Sequence, residues 1–264
     1  MKRIARYLLF AFLLWLLFLV LSMVLPPLVH KTAGPGDWDE KSGMMDAAPE
    51  RVRSIDDNQD ALLWRLRLIE AAQERVILAT FDFWDGESGR DMMGALWNAA
   101  ERGVEVQILV DGLNGGGKPL SSSGLFCQLA AHENVEVRLY NPLNLLTPWK
   151  TNYRMHDKYL IADDLAYLLG GRNTDDRFLG RYTDGYNVDR DILVYETEPG
   201  QGQSYRQLLD YFDRIWSLPC CKVLDRPGEG EDLSQCYEET RARYPEAFAA
   251  PLTQTEWEAA TLET

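Results

Sequence analysis

Residues 155–173 read MHDKYLIADDLAYLLGGRN, and the fold is decided here. Lys158 to Ala162 and Ala166 to Leu169 are short apolar runs separated by Asp163-Asp164, the pattern of two strands joined in a tight hairpin. His156 and Lys158 are two positions apart, so on a strand both side chains leave the same face. A neutral imidazole, with an unperturbed pKa of about 6.5, keeps a lone pair free to attack phosphorus near neutral pH. The Lys158 ammonium and the Asn173 carboxamide are donors suited to charge building on phosphoryl oxygens. Gly170 and Gly171 offer backbone without Cβ atoms, which gives a bulky anion room to approach. Asp163 has two readings, a member of the catalytic set or a turn residue binding backbone N–H groups.

Outward from this stretch, the chain alternates between strand and helix patterns. Leu62, Leu63, Leu66, Ile69 and Ala72 fall at helical spacing behind a run of aspartates. Val76 to Phe83 reads as a strand, Asp91 to Arg102 as a helix stopped by Gly103, and Val104 to Val110 as a buried strand. Leu125 to Ala131 suggests a helix, and Val135 to Tyr140 and Ile192 to Tyr195 suggest strands. Tyr205 to Trp216 is an amphipathic helix. The expectation is an α/β fold, a mixed β-sheet flanked by helices, with an N-terminal transmembrane helix. The expected units are an anchor over 1–29, a Gly- and Pro-rich flexible linker over 30–53, a catalytic half domain over 54–219 and an irregular, polar segment over 220–264.

The spacing His, any, Lys, four residues, Asp, six residues, Gly-Gly, any, Asn resembles the catalytic motif of the phospholipase D superfamily. Asp56 to Pro219 as a whole resembles the first half of its bacterial cardiolipin synthases. Phe81-Asp82-Phe83-Trp84, Ala99 to Val104, Val110-Asp111, Tyr140-Asn141-Pro142, Arg154-Met155 and Asp189-Arg190-Asp191 carry that likeness. The resemblance implies a phosphohistidine on one motif's histidine, a second motif's histidine protonating the leaving alcohol, and no metal or other cofactor. It also implies an acidic residue on the downstream strand orienting the imidazole. Asp191 is the candidate and Asp189 the reserve, and a structural salt bridge is the competing role.

The departure from the family is equally plain. The remaining histidines, His30 and His132, have no lysine two positions on, so the sequence holds one motif where a complete site needs two. A homodimer, a separately encoded second half, or an inactive truncated half would each account for it. Gly112 to Lys118 satisfies Gly, four residues, Gly-Lys of a phosphate-binding loop, but Pro119 stands where Ser or Thr is required, and an ordinary loop is the better reading.

Lys2, Arg3 and Arg6 precede an uncharged apolar run from Tyr7 to Leu25, long enough to span a bilayer. A cleaved signal peptide is the rival reading, with no clean cleavage site before Pro26-Pro27. The basic residues place the N-terminus in the cytoplasm and the catalytic domain on the outer face as a single-pass protein. A net charge of -14 argues against a nucleic-acid partner, since no basic track would neutralise phosphates. The acidity is also unsuited to a broad electrostatic grip on anionic lipid, so lipid contact would come from tethering and a local pocket. Leu143, Leu145, Leu146 and Trp149 would pack over the sheet or dip into lipid. Cys220-Cys221 and Cys236 allow one disulfide, Cys127 reads as a buried apolar residue, and the cysteine spacing fits no zinc site. The leading expectation is phosphatidyl transfer on phospholipids, with hydrolysis close behind; a dimeric nuclease or other phosphodiesterase is the alternative.

Overall fold

The computed structural model describes residues 2–29, 49–113, 124–224 and 232–263. The phosphate-loop-like stretch, apart from its first two residues, and most of the expected linker lie outside them. The described strands form one sheet: β1 (Glu50–Ile55), β2 (Arg75–Thr80), β3 (Glu105–Asp111), β4 (Val135–Tyr140), β5 (Tyr159–Ala162), β6 (Ala166–Gly170), β7 (Asp191–Glu196), β8 (Cys221–Val223) and β9 (Leu262–Glu263). Their spatial order is β8-β4-β3-β2-β5-β6-β7-β1-β9. Strands β2, β3 and β4 are parallel, because helices α3 (Glu87–Glu101) and α4 (Gly124–Ala130) carry the chain back between them. From β5 onward the pairing is antiparallel, begun by the Asp163-Asp164 turn, in which Asp163 takes φ +50°.

Alternation along each strand divides the core into two layers. Val76, Leu78, Leu160, Ala162, Leu168 and Leu193 face the layer covered by α2 (Asn58–Ala71) and α3. Their neighbours Ile77, Ala79, Ile161, Tyr167 and Val194 face the other way, under Tyr205, Phe212 and Trp216 of α5 (Gln203–Trp216). Both faces of the central strands are therefore dry, which is why their sequences read as continuous apolar runs.

Two expected boundaries are corrected. The linker reading ran through Arg53, yet Glu50–Ile55 pairs with β7 along its whole length. Its charges concealed it. The Arg51 guanidinium donates to the carbonyls of Glu258 and Thr261 at 2.9 Å, and Arg53 lies over the ring of Trp64, 5.5 Å from its centroid. Nor is 220–264 irregular. It supplies β8, α6 (Leu233–Arg243), α7 (Gln254–Ala260) and β9. Helix α6 crosses α3 so closely that a Cβ on Gly94 would lie 2.7 Å from the backbone nitrogen of Tyr237. Trp257 of α7 stacks on Tyr195 at 4.7 Å, and Thr253 and Glu256 form a capping box at its start.

The expected disulfide is absent for a topological reason. Cys221 packs with the α5 layer and its thiol donates to the Ile215 carbonyl at 3.2 Å, whereas Cys236 is buried in the α2–α3 layer. The sheet lies between them, and all four cysteines are thiols. At the N-terminus α1 (Lys2–Val29) contains a 24-residue stretch, Arg3–Pro26, long and apolar enough to cross a membrane.

Candidate active site

The ends of β2 and β6 and the starts of β5 and β7 meet at one end of the sheet, with the end of β3 beside them. Open α/β sheets bind ligands at the carboxyl ends of their parallel strands, and the expected site residues other than Asp163 gather at this end. Phe81 follows β2 directly, and the ring of His156 lies against it with centroids 4.8 Å apart. That imidazole is exposed, and among the described residues neither of its nitrogens is engaged by another side chain. Lys158, by contrast, is buried. Its Nζ donates to the carbonyl oxygen of His156 at 2.8 Å and lies 5.6 Å from the centroid of the Phe81 ring. Burial pushes the Lys158 ammonium below its ordinary pKa, and Asp157, Asp189 and Asp82 pull the other way.

Asn173 reaches the same end from β6. Its neighbour Thr174 donates its N–H to the carbonyl of Asp82 at 3.0 Å and forms a bridge with Phe83. The Asn173 side chain is buried, and its Oδ1 meets no hydrogen-bond partner among the described residues. An unpaired acceptor oxygen inside a protein is costly, and a donor such as a hydroxyl or water at this end of the sheet would complete it. The structure thus brings His156, Lys158 and Asn173 to one end of the sheet, with Phe81 bordering the first two.

Of the other expected members, Asp163 lies elsewhere, and Asp191, Gly170 and Gly171 lie at this end with different contacts. Asp163 sits beyond the far end of β5, roughly 20 Å of extended chain from His156. Its carboxylate accepts the backbone N–H groups of Gln73, Glu74 and Arg75 at 2.8, 2.9 and 2.7 Å. Of its two readings, the turn-binding one matches this geometry. Asp191 is fully buried and accepts from Arg65 at 2.8 Å, with Arg172 3.4 Å away, and does not reach the imidazole. The competing salt-bridge role fits, with Arg65 and Arg172 as the partners. Gly170 and Gly171 are corrected too. A Cβ on Gly170 would lie 1.9 Å from Asp191 Oδ1, and one on Gly171 would lie 2.3 Å from Asp189 Oδ1. The space beside them holds carboxylates of the strand-β7 segment, not an incoming phosphate.

Three supporting residues had no assigned role in the sequence. Asp111, at the end of β3, accepts from Arg154 Nη1 at 2.9 Å and from the Met155 N–H at 3.0 Å, fixing the chain just before His156. Tyr211 of α5 donates to Asp157 at 2.8 Å and holds the residue between His156 and Lys158. Arg172, fully buried between Gly171 and Asn173, donates to Asn58 Oδ1 and to the carbonyls of Ile55, Asp56 and Asp189. Val110-Asp111 and Gly-Gly-Arg-Asn appear in the family likeness, but their contacts are long-range and no local spacing reveals them.

Comparison with known proteins gives a consistent picture. A family model described as cardiolipin synthase, PLD-like domain, matches residues 66–216. Cardiolipin synthase C of Escherichia coli K12 is 33% identical over 190 residues, covering 67% of this chain and 38% of that protein. Cardiolipin synthase B of the same organism is 33% identical over 150 residues, covering 52% of this chain and 35% of that one. The chain thus spans little more than a third of these relatives. Among solved structures, NucT from Helicobacter pylori aligns at a TM-score of 0.51 and 20% identity, covering 66% of this chain and 99% of its own. The phosphatidylserine synthase of Haemophilus influenzae Rd KW20 aligns at 0.53 and 15% identity, covering 74% of this chain and 43% of its own. At these identities the two structures attest the fold.

Proposed function

Since the chain belongs to the phospholipase D-like family of cardiolipin synthases, we propose that it is a membrane-anchored phosphodiester-transferring enzyme acting on phospholipids. The observation that carries this reading is the exposed imidazole of His156 beside the buried Lys158 ammonium, with the buried carboxamide of Asn173 at the same end of the sheet. In the proposed reaction an imidazole nitrogen attacks phosphorus, and the bond from phosphorus to the departing alcohol oxygen breaks. Lys158 and the Asn173 amide N–H group stabilise the charge on the non-bridging oxygens. The leaving oxygen takes a proton from an acid on the opposite side, and an alcohol or water then displaces the histidine.

Among the described residues no second histidine is placed to be that acid. His132, the other described histidine, is held on the surface by Glu101, 3.2 Å away, and by the N–H of Asn134. A second copy or a separate chain is proposed to supply it. Helix α1 is proposed to hold the domain at the bilayer, with the N-terminus in the cytoplasm and the domain on the outer face.

The test is to incubate the full chain, in phosphatidylglycerol vesicles, with lipid carrying phosphorus-32. Acid-labile, alkali-stable label on the protein that disappears in His156→Ala is the expected result. Turnover without a labelled histidine overturns the covalent route. Cleavage of DNA but not lipid overturns the substrate class, and a fully inert chain supports the truncated-half reading instead.

A further inference from the structure

Resting on the anchor reading, we infer that residues 143–149 form a lipid-inserting loop, seated in the same leaflet as the outer end of α1. From Leu139 through Trp149 there is no charged side chain, in a sequence that is 26% charged. The expectation that these leucines pack over the sheet does not hold: Leu143, Leu145 and Leu146 are 57%, 61% and 84% exposed. Three neighbouring leucines held in solvent form the kind of apolar patch that marks an interaction surface.

What covers them follows from the helix beside them. The loop continues into a 3-10 turn, Pro148–Asn152, that lies along α1. Trp149 packs edge-on against Phe18, with centroids 6.4 Å apart at 73°, and Asn152 Nδ2 donates to the carbonyl oxygen of Met23 at 2.7 Å. Leu14, Leu17, Leu21 and Leu25 line an open apolar crevice of about 400 Å³ between the helix and Trp149.

Depth settles the occupant. Phe18 precedes Pro26 by eight residues, about 12 Å along a helix axis. The span Arg3–Pro26 has 24 residues; its length of about 36 Å exceeds a hydrocarbon core of about 30 Å by roughly 3 Å at each end. Phe18 then lies about 9 Å below the apolar boundary, and so does the ring beside it. The loop cannot remain in water while α1 spans the bilayer. Its composition suits that depth: leucines and a tryptophan with no charge among them, and Lys150 next, whose long stem carries its charge towards the head groups. The same loop leads through Tyr153, Arg154 and Met155 to His156, with Arg154 fastened to Asp111. A seated loop therefore brings the catalytic imidazole to the level of the lipid phosphates.

The test places a benzophenone amino acid, singly, at Leu146, Phe10 or Leu262 in the full chain. The variants are reconstituted in phosphatidylethanolamine–phosphatidylglycerol vesicles and irradiated. Phe10 reports on the anchor, and Leu262, exposed on the far edge of the sheet, is the aqueous control. Lipid adducts at Leu146 and Phe10, each about tenfold or more above Leu262, are expected. An adduct at Phe10 with none at Leu146, or with Leu146 joined to another protein chain, overturns the loop and leaves the anchor standing. No adduct at either position removes the anchor and the loop together.

Discussion

The ammonium of Lys158 is tied to the carbonyl oxygen of His156, 2.8 Å away, while the ring of Phe81 borders both side chains. The proposed phosphoryl donor is thus held by the backbone of the proposed nucleophile, so the two move as a unit. Lys158 gives up its proton at a lower pH than a free lysine, because burial disfavours the charged form. The ammonium is present below that lowered pKa and lost as the pH rises through it. Activity is therefore expected to fall on the alkaline side before an ordinary lysine titrates. In Lys158→Arg, whose guanidinium stays charged, that limb should move to higher pH even where the rate is reduced. Rate against pH for both proteins is the measurement, and identical alkaline limbs would count against the assignment.

Asp163 divides stability from chemistry. Asp163→Ala removes a carboxylate that accepts three backbone N–H groups. It also places a β-carbon residue without a polar side chain at positive φ. A loss of about 2–4 kcal/mol in denaturant unfolding is expected, with specific activity per folded molecule close to wild type. Loss of activity in a fully folded Asp163→Ala protein would return this residue to the catalytic set.

Asp191 holds two guanidinium groups in the interior. Asp191→Ala leaves Arg65 and Arg172 without their shared counter-charge. Such a loss typically costs about 3–5 kcal/mol. Asp191→Asn, which keeps the shape and one acceptor oxygen, is expected to recover part of it. Urea midpoints of the three proteins decide the matter.

Glu196 makes the fold sensitive to pH away from the site. It is buried opposite Glu50, and both carboxylates crowd the start of α5, where Gly202 donates to Glu196 and Ser204 to Glu50. Burial, with the neighbouring Glu50 charge, pushes Glu196 from 4.5 up to about 7. The folded state therefore binds a proton that the unfolded chain has released between those values. Stability is greatest below pH 4.5 as far as this group decides it, falls as the pH rises to 7, and is level above. Glu196→Gln is expected to flatten that slope and to stabilise the protein at pH 8 by on the order of 2–3 kcal/mol. Thermal unfolding between pH 4 and 8 reads it directly; parallel curves for the two proteins would refute it.

How much of this was legible in the sequence depends on how far apart the partners lie. The hairpin at Asp163-Asp164, the parallel β2–β3–β4 layer and α5 are written in local periodicity, and they stand where the pattern puts them. His156 and Lys158 stand out by motif spacing, although β5 begins only at Tyr159, so the two are brought together just ahead of the strand rather than on one of its faces. β1 does not stand out, since Arg51 and Arg53 look like solvent charges until Trp64 of the next helix and Thr261 from the far end of the sequence meet them. The same holds for α6, whose apolar stripe of Leu233, Cys236 and Tyr237 is narrow within a polar stretch. The two glycines misled for a different reason. A missing Cβ announces that something comes close, but not whether it is a ligand or, as here, the protein's own carboxylate.

Arg172 has one more consequence. Its guanidinium clasps the carbonyls where β1 ends at Ile55 and Asp56, and the next residue is Asn173. The residue that leads into Asn173 is therefore locked to the first strand of the sheet, so fraying of β1 would unseat the segment beside that carboxamide.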